Sequence, residues 1–318
     1  MDRRDFLKKT VSAAFLGAMA KFTGNLHAAP AVQGGKNTSD GTPDIVAVRG
    51  GSPEEMFKRA MAELGGMEKF VKKGQVVTVK PNIAWDKAPE MAATTNPGLV
   101  AAIVKACFEA GASKVQVFDT TCNAWSASYK NSGIQEAAQK AGAIVVGGDT
   151  ARDRNYLAEY YREVPVPRGK TLKKADVHKF VLDCDVLINV PILKVHGGAV
   201  MTCCMKNLMG IVSKSYHQYF HKKGLNQCIA DCCSIRPPDL NIVDAYRVMH
   251  KRGPRGVDAS DVKQLGYLLA GRDMVALDTA SAAMLDLKQR RIGHIAAGAA
   301  LGLGTTKLKE LNIKRISM

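Results

Sequence analysis

Several polar residues lie in a mostly apolar part of the sequence. The segment NVPILKVHGGAVMTCCMKNLMGIV, residues 189–212, places Lys194, His196, Lys206 and Asn207 among aliphatic residues, methionines and glycines. A lysine ammonium in apolar surroundings must find a partner or lose its proton. As a cation it would bind a carboxylate or phosphate, and as a neutral amine it would act as a base or nucleophile. His196 is able to act as a base or as a metal ligand.

Candidate metal ligands are concentrated in the same half of the chain. His217 and His221 are four residues apart, on one face of a helix if the segment is helical, but Gln218 stands where a zinc peptidase has glutamate. Five of the eight cysteines lie between positions 203 and 233, without the Cys-x2-Cys spacing of ferredoxins and zinc ribbons. A bound metal or iron–sulfur cluster, a disulfide and plain packing therefore stay open as alternatives. The candidate metal ligands are His196, His221, Asp231, Cys203, Cys204, Cys228 and Cys232.

The elements that would position these residues alternate along the chain. Strand-like segments separated by helical segments of 10–15 residues predict an α/β fold with a mostly parallel sheet and flanking helices. A Tyr- and Arg-rich stretch predicts an irregular insertion around residues 151–178, or an antiparallel excursion.

Polar residues follow several of the predicted strands. Ligands bind beyond the carboxyl ends of the strands of an open parallel sheet, so these side chains are expected to converge. They are Lys80, Asn82, Asp119, Lys194, His196 and Asp244. The alternative for each is that it only caps a turn. Further along, Asp273 is predicted to cap a helix, and Asp278 is expected to face either the site or the helix surface.

The N-terminus has the pattern of an export signal. Arg3 and Arg4 precede a ten-residue apolar stretch, which is too short for a membrane-spanning helix of about 20 residues. Together with the small residues at 28–31, it predicts a twin-arginine signal cleaved after Ala28 or Ala31. The predicted organisation is a signal at 1–31, a linker at 32–43 and a single α/β domain at 44–318.

Export has consequences for partners and location. The pattern predicts the twin-arginine translocon as a partner, a periplasmic or otherwise exported location, and no stable membrane anchor. Because this route carries folded chains, a cofactor inserted in the cytoplasm is one common reason for using it.

The charge balance points to an anionic ligand. The formal net charge is +16, of which the predicted signal contributes three. Such a balance favours acidic small molecules, anionic lipids or nucleic acid. The basic residues are scattered and no helix-turn-helix, zinc-finger or RNP pattern accompanies them, which argues against nucleic acid. The sequence therefore predicts a small anionic molecule as the partner.

Several segments together resemble the domain-of-unknown-function 362 family, over roughly Asp44 to the C-terminus. They are VKPNI (79–83), TTNPGLVAAIVK (94–105), VFDTT (117–121), INVPILKVH (188–196), MKNLMGI (205–211), IADCC (229–233), LNIVDAYRVMHKRGPRG (240–256) and AGRDMVALDTAS (270–281). The resemblance implies polar landmarks at Lys80, Asn82, Lys194, His196, Lys206, Asn207, Asp231, Asp244 and Asp278. Many members look like iron–sulfur proteins because they carry ferredoxin-type segments, which this chain lacks. Cys203 and Cys204 stand where the family usually has small residues, which favours packing.

The interpretation is an exported α/β protein with a basic pocket for a small anionic ligand. The preferred hypothesis is an enzyme whose reaction is not assigned, and the use of a metal ion in that reaction stays open. The alternatives are a non-catalytic periplasmic binding or cofactor-maturation protein, and a redox protein with a cysteine-bound iron–sulfur centre. The cofactor is unknown, with a divalent metal and an iron–sulfur cluster both open. The expected catalytic residues are Lys194, His196, Lys206, Asn207 and Asp244, and the expected cofactor-binding residues are Lys80, Asn82, Asp119 and Asp278.

Overall fold

The computed structural model describes residues 41–147 and 159–318, so the predicted export signal lies outside the described residues. The first range begins with β1 (Ile45–Arg49), α1 (Pro53–Glu63), β2 (Val76–Pro81), α2 (Pro97–Glu109) and β3 (Lys114–Val117). It ends with α3 (Trp125–Asn131), α4 (Ile134–Lys140) and β4 (Ile144–Val145). Apart from α3, these are the strands and helices that the alternating sequence pattern predicts.

The second described range carries the remaining elements. It begins with β5 (Tyr161–Pro165), β6 (Lys174–His178), α5 (Lys179–Leu182), β7 (Val186–Val190), β8 (Ile192–His196) and β9 (Val200–Thr202). Four helices or strands follow: α6 (Cys204–Asn207), α7 (Ser215–Lys223), α8 (Leu225–Cys233) and β10 (Leu240–Met249). The chain closes with β11 (Val262–Gly271), α9 (Met274–Met284), α10 (Gly293–Ala300) and β12 (Ile313–Ser317).

Ten strands of the described ranges form one mostly parallel sheet, which confirms the predicted fold class. The order along its path is β12-β1-β11-β10-β7-β2-β3-β4, and β8 pairs with β10 and with β9. Strands β4, β3, β2, β7 and β10 are mutually parallel, whereas β11 runs antiparallel to both β10 and β1. The carboxyl ends of the parallel strands therefore meet at one edge, as a ligand site requires.

Local sequence signals set the helix starts. Ser52 caps α1 through a reciprocal pair of hydrogen bonds with Glu55, and Pro53 occupies the first helical position. The Asn96 side chain accepts a hydrogen bond from the Leu99 backbone N–H and caps α2. Asp273 caps α9 in the same way. The Asp273 cap confirms the prediction made for that residue.

The apolar run CDVLINVPILK, whose composition predicts one buried strand, is two strands in the structure. The run divides into β7 and β8 at Pro191, which has no N–H to donate to a sheet ladder. β7 lies between β2 and β10, whereas β8 pairs with β10 and β9. The break sends β8 out of the sheet centre and carries Lys194 and His196 towards the edge.

Apolar residues pack on both faces of the sheet. In β1, Ile45 and Ala47 belong to one core cluster while Val46 and Val48 belong to the other, as the two-residue period of a strand requires. Helices α1, α2 and α4 cover the second cluster, and α6, α8, α9 and α10 cover the first.

The predicted insertion is partly described. Strands β5 and β6 pair as an antiparallel ribbon, in agreement with the alternative of an antiparallel excursion, while residues 148–158 lie outside the described ranges. Across the part of the chain that the structure covers, no helix combines the length and the apolar character needed to cross a membrane.

Candidate functional site

A buried ion pair marks the strand edge. Lys80 at the end of β2 contacts Asp119, just after β3, with 2.5 Å between Nζ and Oδ1. The other Asp119 oxygen accepts the Ile83 backbone N–H at 2.6 Å. Burial lowers the pKa of Lys80 and raises that of Asp119, and their mutual attraction opposes both shifts. Gly210 covers the pair, because a Cβ there would stand 2.0 Å from Asp119 Oδ1.

Four buried asparagines form a chain of amide hydrogen bonds beside this pair. Asn82 donates to Asn207 and Asn207 donates to Asn189, both at 2.9 Å. Asn189 in turn donates to Asn241 at 2.9 Å. The chain links the residue after β2, the end of β7 and the start of β10 to α6. It explains how an apolar sheet tolerates asparagines in its strands, since each buried amide has a partner.

Lys194 is fully buried on β8. Its ammonium donates to the Ala93 carbonyl and lies 3.4 Å from Asn82 Oδ1. Burial lowers the pKa of Lys194 to about 7, helped by the positive charge of Lys206. A lysine with this pKa exchanges its proton near neutral pH.

A small cavity of about 230 Å³ opens beside these residues. It is smaller than the roughly 300 Å³ at which pockets for drug-sized ligands begin, so its size suits a small molecule. The predicted site residues that line it are Asn82, Asp119, His196, Lys206, Asn207 and His221. The sequence interpretation considered His217 only as half of a possible metal pair with His221, and it missed the other lining residues, Ala84, Trp85, Thr120, Cys122, Met209, Gly210 and Pro254. Their positions in the sequence could have identified them, because most of them lie a few residues after a strand or after the MKN segment.

Lys206 is the cation of the cavity. It lies on α6, is partly exposed, and its ammonium has no hydrogen-bond or ion-pair partner among residues 41–147 and 159–318. Its surroundings lower the pKa of Lys206, with desolvation as the main cause. Lys80, by contrast, is neutralised by Asp119.

His196 fits a hydrogen-bond donor better than a metal ligand. Its Nδ1 accepts the Ala199 backbone N–H at 3.1 Å, and burial lowers its pKa to about 3. The neutral ring therefore carries its proton on Nε2, which leaves no lone pair there for an ion. His221 and His196 flank Gly198 on the cavity wall.

Three predicted aspartates, Asp231, Asp244 and Asp278, do not line the cavity. Asp231 on α8 accepts three backbone N–H groups from residues 170–172 and the Gln227 amide, so its oxygens anchor the loop between β5 and β6. Asp244 accepts the backbone N–H groups of Asn96 and Tyr246, and burial raises its pKa to about 6. None of the three lines the cavity, so a shared metal site of His196, His221 and Asp231 has no geometric support.

The cysteines separate into one cluster and thiols that do not join it. Cys203, Cys204 and Asp278 place one donor atom each within 4.8 Å of one another. Asp278 accepts the backbone N–H groups of Cys204 and Met205, at the start of α6. Cys228 and Cys232 are buried on α8 and do not join this group. A four-cysteine site at 203, 204, 228 and 232 is therefore not formed.

A larger groove of about 870 Å³ lies elsewhere, between the end of α9 and residues 306–310. None of the predicted site residues lines it, and half of its lining side chains are charged. The smaller cavity is the better candidate because Lys206, Asn82 and Asn207 line it and the buried Lys80 and Lys194 contact residues of its wall.

The chain belongs to the family described as domain of unknown function (DUF362), whose pattern matches residues 77–283. This range contains every cavity-lining residue. A thylakoid-associated protein of Synechocystis sp. is 28% identical over 265 residues, which are 80% of this chain and 77% of that protein.

Two solved structures are similar at low sequence identity. The lactate racemase apoprotein of Thermoanaerobacterium thermosaccharolyticum is 16% identical, with a TM-score of 0.45 over 76% of this chain and 58% of its own. A Thermotoga maritima protein solved by a structural genomics consortium is 14% identical, with a TM-score of 0.46 over 74% of this chain and 60% of its own. The chain thus spans about 60% of the length of the solved structures that it matches.

Proposed function

We propose that the 230 Å³ cavity binds a small anionic molecule, such as a short carboxylate or a phosphate. The observation that carries the proposal is Lys206, a cation on the cavity wall with no partner among the described residues. The Nε2–H of His196 supplies a second donor on the same wall. An anion would neutralise the lysine and accept from the histidine, so the filled site is more stable than the empty one.

Replacing Lys206 with methionine tests the proposal. Lys206→Met keeps the apolar stem and removes the charge, so the fold should stay intact and the melting temperature unchanged or slightly higher. Ligand-induced stabilisation should disappear, whereas wild type gains about 2.7 kcal/mol at a ligand concentration of 100 Kd. The measurement is thermal unfolding with a panel of small carboxylates and inorganic phosphate.

Lys105→Met is the matched control, because it removes one positive charge from an exposed position on α2. It should respond to anions as wild type does. Equal stabilisation of the Lys206 and Lys105 variants, or a Lys206 variant that does not fold, would exclude the proposal.

Catalysis is the second candidate function, and the observation that favours it is Lys194. With a pKa of about 7, this lysine could give or take a proton near the ligand, through or beside Asn82. The sign of the effect on stability follows from linkage. Between pH 7 and the unfolded value near 10.5 the unfolded chain binds more protons, so the free energy of unfolding rises with pH.

Comparison of wild type with Lys194→Met checks this role. The wild-type free energy of unfolding should gain up to about 1.4 kcal/mol per pH unit relative to the variant between pH 7 and pH 10. Chemical denaturation at several pH values measures it. Parallel pH profiles would mean that Lys194 stays charged and is no base.

We further propose that the chain is exported in folded form. The support is the arginine pair and the short apolar stretch that follows it. The basic balance of the remaining sequence is compatible with a periplasmic binding protein for anions.

A further inference from the structure

A second cluster of polar side chains lies beneath the sheet edge and takes no part in the proposed anion site. Cys203 precedes α6, Cys204 begins it, Asp278 lies on α9 and His294 lies in the first turn of α10. All four side chains are fully buried. Three different elements thus bring two thiols, a carboxylate and an imidazole to one place.

Two donor–donor distances within this cluster suit a tetrahedral ion. The two sulfur atoms are 4.0 Å apart, and His294 Nε2 is 3.7 Å from Asp278 Oδ2. With metal–sulfur bonds of about 2.3 Å, a tetrahedral centre separates two sulfurs by about 3.8 Å. Bonds of about 2.1 Å to nitrogen and oxygen separate those atoms by about 3.4 Å. His294 is not among the donors that lie within 4.8 Å of one another, so its ring must move towards the two sulfur atoms to complete the coordination shell.

The unpaired ring of His294 is a second observation, independent of the distances, that points to a bound ligand. Neither of its ring nitrogens has a hydrogen-bond partner within the described ranges, although the ring is completely buried. Buried polar groups are almost always hydrogen-bonded, because an unpaired group loses its hydrogen bonds to water and gains none in the protein. A metal ion between His294 and Asp278 would satisfy one nitrogen.

We propose that Cys203, Cys204, Asp278 and His294 form a binding site for one divalent metal ion of the zinc type. Sulfur, nitrogen and oxygen donors in a tetrahedron are what Zn²⁺ accepts in structural sites. Binding of the ion replaces the two thiol protons, which leave to solvent, and no electron is transferred. The site has no open position, so its role is to fix α6, and with it Lys206, against α9 and α10.

Neighbouring groups already support such a centre. The Asp278 oxygens are oriented by the backbone N–H groups of Cys204 and Met205, which leaves each with a free lone pair. The Ser281 hydroxyl lies 3.4 Å from Cys203 Sγ, where it could donate to a metal-bound sulfur. Gly298 lets α10 approach Met205 closely, since a Cβ there would stand 2.4 Å from the methionine Cε.

The burial of all four donors sets the design of the experiment. An ion reaches them while the chain folds, so the full chain is unfolded under reducing conditions and refolded with one equivalent of Zn²⁺ or Co²⁺. Unbound ion is then removed and bound metal is measured. Co²⁺ also reports tetrahedral thiolate coordination through its absorption spectrum.

Wild type should retain about one ion per chain and melt at a higher temperature with the ion than without it. Cys204→Ser and His294→Leu should lose the bound ion. Without metal, His294→Leu should be at least as stable as wild type, because it removes two unpartnered nitrogens. Cys107→Ser, a buried cysteine on the other face of the sheet, is the matched control and should keep the ion.

Retention of less than a tenth of an ion by refolded wild type would overturn the proposal. Equal retention by His294→Leu and Cys107→Ser would overturn it as well. If Cys204→Ser does not fold, His294→Leu still decides, since leucine suits a buried site. The result is separate from anion binding, which is read from the response of the protein to carboxylates.

Discussion

Asn207 makes three side-chain hydrogen bonds at the centre of the buried amide chain. It accepts from Asn82 and donates to Asn189 and to the Lys80 carbonyl. Asn207→Asp keeps the shape but turns both donor contacts into pairs of oxygens. The free energy of unfolding should fall by roughly 2–5 kcal/mol, because buried acceptors lose their partners. Urea denaturation measures the change.

The matched control is Asn226→Asp on the exposed side of α8. It introduces the same charge at the surface and should change the free energy of unfolding by no more than about 0.5 kcal/mol. A similarly small effect at Asn207 would show that the amide chain does not hold the strand ends together.

Single residues of the site were predictable where a charged residue interrupts or ends an apolar run of the sequence. Lys80, Asp119, Lys194 and Lys206 are charged residues at the ends of apolar runs, and each lies at or beside the cavity. The sequence did not predict Asn189 and Asn241 as site residues. Their hydrogen-bond partners lie on other strands and helices, so they are visible only in the folded structure. Similarly, the position of His294 beside Asp278 depends on the packing of α10 against α9.

At the scale of elements, periodicity and caps predicted the strands and helices well. They did not separate β7 from β8, because an apolar run continues through Pro191 and only the sheet pairing shows the break. Asp231 illustrates the same limit. In sequence it resembles a ligand near cysteines, whereas in the structure it receives the backbone N–H groups of a loop 60 residues away.

At the scale of the whole molecule, the export signal and the basic charge are properties of the sequence alone. Replacing both Arg3 and Arg4 with lysine keeps the charge but removes the guanidinium pair that the translocon reads. The full-length precursor should then accumulate in the cytoplasm. Cell fractionation and immunoblotting measure its location.

Lys8→Arg is the control for this prediction, since it changes a neighbouring basic residue without touching the pair. It should be exported as wild type is. Normal export of the double lysine variant would contradict the twin-arginine interpretation.

The central claim is that Lys206 and His196 hold an anion in the small cavity. The most direct measurement is a crystal structure of the protein with the carboxylate or phosphate that stabilises it most in thermal unfolding. An anion oxygen should lie within hydrogen-bond distance of Lys206 Nζ, with a second oxygen or the same one accepting from His196 Nε2. A cavity filled only with water, or an anion bound elsewhere on the protein, would contradict the account.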